Sequence, residues 1–411
     1  MEKRSVPKLR FKGFEDKWEE KKLGDLVSYK KGYAFKTEEC TSEGIRVVKI
    51  SDTTTTSINK EGNTFIKKDD YDKFKEWELL NDDILVSTVG SRPPLYSSMV
   101  GKVVKVPRNC EGALLNQNLV KLKPKNLINN KFLYNALKKP KYTKHIENIC
   151  RGNANQVSIT LEDLFEYRIV NPSLEEQTKI ANFLSNVDKI IEEQEGKVKD
   201  LELYKKGMMQ KIFKQEIRFK DDNGKDYSKW ETTNIEEISQ IKMGFTPSTK
   251  DDNAWGGGVE WLSIAGMTSK YIYDGNKKIS RELLGKRKLV PQDTLIMSFK
   301  LTIGRLAIVK RELMTNEAIC QFYWKNKNIL NEYMYGYLST VNISSFGCRA
   351  AKGITLNTES LNSIVVKLPC LEEQTKIANF LSNIDNIIEE ENKKLEDLRQ
   401  WKKGLLQQMF V

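Results

Sequence analysis

The chain has 411 residues, 39% hydrophobic and 30% charged, with 68 basic against 56 acidic side chains and a net charge of +12. That length exceeds what one hydrophobic core fills and predicts two or more domains. Six scattered cysteines without a C-x-x-C pair, and a single histidine, His145, argue against a zinc site; no apolar run predicts a membrane span or secretory signal, so a cytoplasmic setting is expected.

Residues 9–35, "LRFKGFEDKWEEKKLGDLVSYKKGYAF", end on a glycine followed by aromatics. Short β-branched runs follow, "IRVVKISD", "DDILVSTVG" and "GKVVKV", then a helical "KFLYNALKK" and a closing strand "RIVNP". Strands of this length between glycine-punctuated loops predict one mixed α/β domain over residues 1–170.

Residues 171–214 read as one long helix. "LEEQTKIANFLSN" (174–186) opens it, and Ser173 with Glu176 has capping-box spacing. Ile180, Leu184, Val187, Ile191, Val198, Leu201, Met208 and Ile212 step by alternating fours and threes, a heptad seam interrupted at Gln194 and Lys205. A helix of about 40 residues is roughly 60 Å long at ~1.5 Å per residue. With one apolar stripe it needs a mate.

The remainder repeats the plan. Residues 217–247 parallel residues 9–35: R-F-K first, then K-W, then a glycine and an aromatic, Gly244-Phe245 against Gly32-Tyr33. "VEWLSIAG", "QDTLIMSF", "GRLAIV" and "EYMYGYLST" face the strands and helix of the first half, predicting a second mixed α/β domain over 215–367. Residues 368–411 then repeat the helix, beginning with the same thirteen letters at 371–383. Its seam is Ile377, Leu381, Ile384, Ile388, Leu395, Leu398, Leu405 and Met409, interrupted at Glu391 and Lys402. Cys370 replaces the capping serine, which predicts a slightly weaker start. The two helices are expected to pair with each other, antiparallel, because the chain leaving the first then lies near the start of the second. The fold class expected is α+β, two mixed α/β domains separated by an antiparallel coiled coil in a pseudo-two-fold repeat. The helices hold 7 basic and 8 acidic, and 6 basic and 8 acidic, residues. The positive excess therefore lies in the flanking domains, as a polyanionic partner would favour.

The twin "LEEQTKIANFLSN" helices, their "RIVNPSLEEQ" and "VVKLPCLEEQ" approaches, and the W…LG(D)L…KG opening near Trp18–Gly32 resemble the specificity subunits of type I restriction–modification enzymes over nearly the whole chain. The resemblance implies two target recognition domains, each reading half of a split double-stranded DNA sequence, and conserved helices that bind two methyltransferase subunits. It implies that S-adenosylmethionine is bound by those subunits, and ATP and Mg by restriction subunits that join in some systems. It also implies that the specificity subunit itself catalyses nothing. Two unlike domains predict an asymmetric target. A 60 Å rod bounds the distance between half-site centres at roughly 18 base pairs.

No catalytic residue is singled out. A G-x-x-x-x-G-K-[ST] phosphate loop is absent, "SRPPLY" is a stiff proline loop, and His145 lacks a partnering motif. Residues expected to touch DNA lie on loops offering charge, amides and aromatics. In the first domain they are Lys30, Lys31, Tyr33, Phe35 and Lys36; Ser91, Arg92 and Tyr96; Asn116, Gln117 and Asn118; and Arg151, Asn153, Asn155 and Gln156. The amide-rich "NQN" and "GNANQ" are the foremost base-reading candidates. In the second they are Lys242, Phe245, Thr246 and Lys250; Lys300, Thr302 and Arg305; and Arg349 and Lys352. "TNEAI" stands there in place of "LNQNL", so the second domain should read different bases. Two other readings compete: a self-sufficient methyltransferase or nuclease, and a coiled-coil scaffold that binds DNA without sequence preference.

Overall fold

A computed structural model describes residues 6–95, 97–152, 156–350 and 353–410. The chain forms two compact units, one of Met1–Glu195 with Lys394–Val411, the other of Gly196–Lys393. Each contains one head and a stretch of both long helices, Leu174–Phe213 and Leu371–Met409.

The first head is built on a four-stranded antiparallel sheet in the order Val27–Lys31, Leu119–Pro124, Ile84–Ser87, Val103–Lys105. Its strands are the β-branched runs of the sequence, and all four residues of Ile84–Ser87 are buried. Helices Asn130–Ala136 and Pro140–Ile149 bury Phe132, Leu133, Tyr142 and Ile146 in the same core. A smaller sheet, Cys40–Thr41, Phe65–Ile66, Ile45–Val48 and Leu114–Leu115, borders two further core clusters, one holding Val48 and Leu115 and the other Val47 and Leu114. The head opens and closes on one antiparallel ribbon, Glu19–Lys22 with Arg168–Asn171.

The second head repeats this with additions. Its main sheet has five strands, Ser239–Met243, Ile319–Trp324, Leu295–Ser298, Leu306–Val309 and Tyr271–Ile272. Three strands, Lys277–Ile279, Trp255–Leu262 and Met314–Thr315, form the companion sheet, and Glu231–Asn234 with Val365–Leu368 is the closing ribbon.

The invariant letters have a common cause. Glu176 is buried, yet it does not complete the capping box. Ser173 Oγ does accept the Glu176 N–H at 3.3 Å, but the Glu176 carboxylate turns to the head. It accepts Arg10 Nε and Nη2, both at 2.8 Å, and Trp18 Nε1 at 3.2 Å. Glu373 does the same with Arg218 Nε at 3.1 Å, Arg218 Nη2 at 2.6 Å and Trp230 Nε1 at 2.9 Å. The following glutamines are buried too. Gln177 accepts the Asn129 N–H at 2.8 Å and donates to the Pro172 carbonyl at 2.8 Å. Gln374 accepts the Leu330 N–H at 3.0 Å and donates to the carbonyls of Pro369 and Asn328, both at 2.9 Å. So "EEQ" is one exposed glutamate, one carboxylate socket and one amide clamp. The Cys370 copy keeps socket and clamp unchanged.

Within each unit the two helices run antiparallel. In the first, Asp188 pairs with Lys402 and Glu195 with Arg399 at 2.7 Å; in the second, Lys197 pairs with Glu391 at 3.0 Å and Lys205 with Asp385. The seam interruptions at Lys205 and Lys402 are therefore cross-helix ion pairs at repeat-equivalent places. Polar pairs at seam positions specify register. Every seam residue is buried or half-buried. The seam is also more than a helix–helix contact. Ile180, Leu184, Leu405 and Met409 share a core with Trp18 and Phe132 of the first head. Ile212, Ile377 and Leu381 share one with Trp230 and Tyr333 of the second. Phe410 stacks on Phe132 at 4.9 Å, and Phe213 meets Tyr333 edge-on at 5.8 Å.

Removing one partner of a buried ion pair leaves the other unmatched, a loss of about 3–5 kcal/mol. Glu176→Ala should therefore deprotect amides around residues 9–18 and the helix start in hydrogen exchange, and Glu373→Ala should do so around 217–230. Unchanged protection in either variant would contradict the socket.

Candidate nucleic-acid interface

Each main sheet has two unlike ends. At one, Val27 and Pro124 lead to the Leu127–Asn129 carbonyls and amides gripped by Gln177. At the other, Lys31, Val120 and Ser87 lead into loops. The expected DNA contacts of the first head gather at this second end.

Gly32 lies so close to the 116–118 turn that an added Cβ would sit 1.9 Å from the Asn116 carbonyl oxygen. Only glycine allows this crossing. It is repeated in the second head, where a Cβ on Gly244 would meet the Thr315 oxygen at 2.1 Å. The crossing sets "KGYAF" beside "NQN". Gln117 is exposed at the tip of the turn, with Asn116 and Asn118 half-buried beside it. The Asn118 carbonyl accepts the Thr88 N–H at 3.0 Å, and the Thr88 carbonyl accepts the Ile159 N–H at 3.0 Å. Residues 88–92 and 156–159 thereby join the same edge, with Arg151 paired to Ser158 through backbone hydrogen bonds. Arg92 is exposed and donates Nη2 to the Gly152 carbonyl at 3.0 Å. Ser91 and Ser98 hydroxyls lie 2.8 Å apart. Arg151 is exposed but held by Asp163 at 2.6 Å, and Gln156 is exposed. Tyr96, Asn153 and Asn155 lie outside the described residues.

Tyr33 and Phe35 are not free rings. Tyr33 packs on Phe35, Phe74 and Trp77 at 4.9, 5.2 and 4.7 Å. Lys30 sits over Trp77 at 5.2 Å and pairs with Glu76. Lys31 and Lys36 are exposed. His145 Nε2 donates to the Asp163 carbonyl at 3.0 Å, and the ring lies beside Tyr167.

In the second head the corresponding end brings together Met243–Thr246, residues 315–320 and the turn after Ser298. Lys242 and Lys250 are exposed, and Lys242 lies over Tyr323 at 4.6 Å. Phe245 is half-buried under the Arg287 guanidinium, 4.0 Å from its ring centre. Thr246 bonds Glu317. Lys300, Thr302 and Arg305 are exposed, although Arg305 Nη1 also donates to the Ile264 carbonyl at 3.0 Å. Arg349 lies in the strand Cys348–Ala350, and Lys352 lies outside the described residues. Arg287, which was not among the expected contacts, belongs to the exposed basic run Lys286, Arg287, Lys288.

The family profile described as the type I restriction modification DNA specificity domain matches twice, over residues 15–203 and 227–400. The chain belongs to this family. A specificity subunit provisionally assigned to the MjaX type I restriction enzyme of Methanocaldococcus jannaschii is 27% identical over 400 residues, 95% of this chain and 92% of the relative. The crystal structure of the type I system S subunit from M. genitalium matches at a TM-score of 0.54, with 18% identity and 99% of each chain covered. A chain from a study of assembly and conformational transition of the type I system matches at 0.59, with 16% identity, covering 96% of this chain and 97% of that one. These structural likenesses concern the fold. Among the described residues no helix is long and apolar enough to cross a membrane, and no three His, Cys, Asp or Glu side chains stand together as a metal site requires.

Where the first head meets the long helices, this specificity-family chain has a cavity of about 890 Å³ lined by Thr55, Thr56, Lys105, Tyr134, Asp188 and Lys402 among others. Lysines hold its threonine loop by backbone carbonyls. Lys102 Nζ donates to Thr53 O at 2.9 Å, and Lys138 Nζ to Thr55 O at 2.9 Å. Burial pushes the Lys138 ammonium down to about 7, and repulsion from Lys402 and Lys102 adds to the shift. An unfolded lysine keeps its proton to about pH 10.4. Between those values the unfolded chain binds a proton that the fold has released, so stability rises with pH through that window. Lys138→Met should flatten this rise, measured as denaturant midpoints at pH 7 and 9.5. An equally steep rise in the variant would refute the assignment.

Proposed function

We propose that this chain is the non-catalytic DNA-recognition subunit of a type I restriction–modification complex acting in the cytoplasm. Each head reads one half of an asymmetric bipartite target in double-stranded DNA. The single observation that carries this reading is the polarity of each head. One end of its sheet is locked to a long helix by the carboxylate socket and amide clamp, and the other end presents amides, Lys and Arg on turns. Side chains of those kinds contact base edges and phosphates. On this reading Gln117, with Asn116 and Asn118, reads bases in the first half-site; Lys31, Lys36 and Arg92 meet phosphates there, and Lys242, Lys250 and Lys300 do so in the second.

The long helices set the spacer and dock two methyltransferase subunits. Support for twofold docking comes from exposed apolar side chains that recur at repeat-equivalent places, Ile190 and Ile387, each 45% exposed, and Tyr204 and Trp401, 52% and 47% exposed. Tyr and Trp are enriched where proteins meet. S-adenosylmethionine is held by the methyltransferase subunits, and ATP and Mg by restriction subunits where these join.

The decisive experiment is a genome-wide map of modified adenines with the methyltransferase subunits present, with and without this chain. One split motif should appear only with it. Exchanging residues 1–170 for a relative's head should alter one half-site and leave the other intact; joint alteration would overturn the modular reading. Inserting one heptad into both helices adds about 10 Å and should lengthen the spacer by about three base pairs at ~3.4 Å per step. An unchanged spacer would remove the helices' role as a ruler.

A further inference from the structure

Two buried serines root corresponding loops. Ser87 ends the strand Ile84–Ser87, and Ser298 ends Leu295–Ser298; both are fully buried. The Ser87 N–H donates to the Lys102 carbonyl at 3.0 Å, and its carbonyl accepts the Gly101 N–H at 2.8 Å. Its hydroxyl accepts the Lys102 N–H at 2.9 Å and donates to the Met99 carbonyl at 3.0 Å. Ser298 makes the same set: N–H to the Arg305 carbonyl at 2.9 Å, carbonyl to the Gly304 N–H at 2.8 Å, and hydroxyl to the Arg305 N–H at 3.0 Å and the Thr302 carbonyl. Between these anchors the first head inserts residues 88–100 and the second only 299–303. Unlike in length, both loops expose a leucine. Leu95 is 62% exposed and Leu301 93%.

Leu301 is unfavourable twice over. Its side chain is almost wholly solvated, and its backbone has φ 64°, a left-handed conformation that L side chains avoid. Neither packing nor turn chemistry selects leucine there. The loop is nonetheless rigidly rooted, on the DNA-facing end of the sheet, with Phe299 buried beneath and exposed Lys300 and Arg305 to either side. A charged surface with one pre-positioned apolar protrusion matches duplex DNA rather than a protein groove, which would call for an apolar patch.

We propose that Leu301 is a wedge that enters a base step of the second half-site and unstacks it, and that Leu95 does the same in the first. Leucine can neither pair with a phosphate nor read a hydrogen-bonding edge. Insertion between bases is the DNA contact its chemistry suits, and such wedges kink the duplex. Because the loop backbone is already rooted, only the side-chain rotamers remain to be fixed on binding. The inference rests on the DNA-recognition reading above.

The test uses the full chain assembled with its methyltransferase subunits, on duplexes carrying the mapped motif with 2-aminopurine at successive positions other than the methylated adenine. The wild-type complex should brighten the probe at one step of the half-site read by the second head. Leu301→Ala should abolish that signal and weaken binding about tenfold. An apolar contact releases no counterions, so the slope of log K against log salt should not change, whereas Lys300→Ala should make it shallower by about 0.9. Thermal unfolding of Leu301→Ala should match wild type, because the side chain packs against nothing. Undiminished binding by Leu301→Ala overturns the wedge. So does a loss of affinity with a shallower salt slope, or a loss reproduced by replacing thymine with uracil while no step brightens, which would mean a thymine-methyl contact. A wild-type complex with no split motif at all would instead defeat the underlying recognition reading, and the wedge with it.

Discussion

A buried carboxylate held by three head donors is the constraint on which this molecule depends. Glu176 and Glu373 are each almost entirely removed from water at the first turn of a long helix. An ionised carboxylate there is tolerable only with charge and hydrogen bonds supplied. Arg10 with Trp18, and Arg218 with Trp230, supply them from the segment that opens each head. The adjacent glutamine fixes the loop that closes the sheet's inner end. Any change at these letters leaves a buried charge or amide unpaired. That accounts for the Glu-Gln pair recurring in both copies while the heads differ.

Rooting each head so firmly frees its far end to vary. The crossing at Gly32 and its counterpart at Gly244 hold the same backbone frame, yet the turn beside it reads "NQN" in one head and "NEA" in the other. The loop rooted at Ser87 spans thirteen residues and that at Ser298 five. Frame and contents are decoupled: backbone hydrogen bonds define the frame, and side chains on turns define what it meets.

Within each unit a stretch of the helix seam packs beside the root. Its lysines are not flaws in a heptad pattern, because Lys402 meets Asp188 and Lys205 meets Asp385. Slipping the helices by a turn would part both kinds of contact, ionic and apolar. The seam ends in the cores of the heads, so helix pairing and head folding are one process within each unit.

Much of this was legible in the letters. Repetition at a fixed interval, a 3.5-residue apolar period and β-branched runs between glycines determine two heads, two helices and their order, because those signals are local. The family resemblance rested on the same stretches. Partners far apart in the chain were not legible. Glu176 has the spacing of a helix cap, and nothing nearby shows that its partner lies 166 residues earlier. Tyr33 and Phe35 stand on a loop expected to touch DNA, and nothing nearby in the sequence shows that Phe74 and Trp77 pack around them. Nothing in the letters around Leu301 marks it as exposed; its left-handed backbone and 93% exposure belong to the fold. Sequence by itself determined the elements and their duplication, which arise from neighbours along the chain. Tertiary structure alone decided which polar groups are buried and matched and which side chains face outward, because burial depends on what the rest of the chain brings alongside.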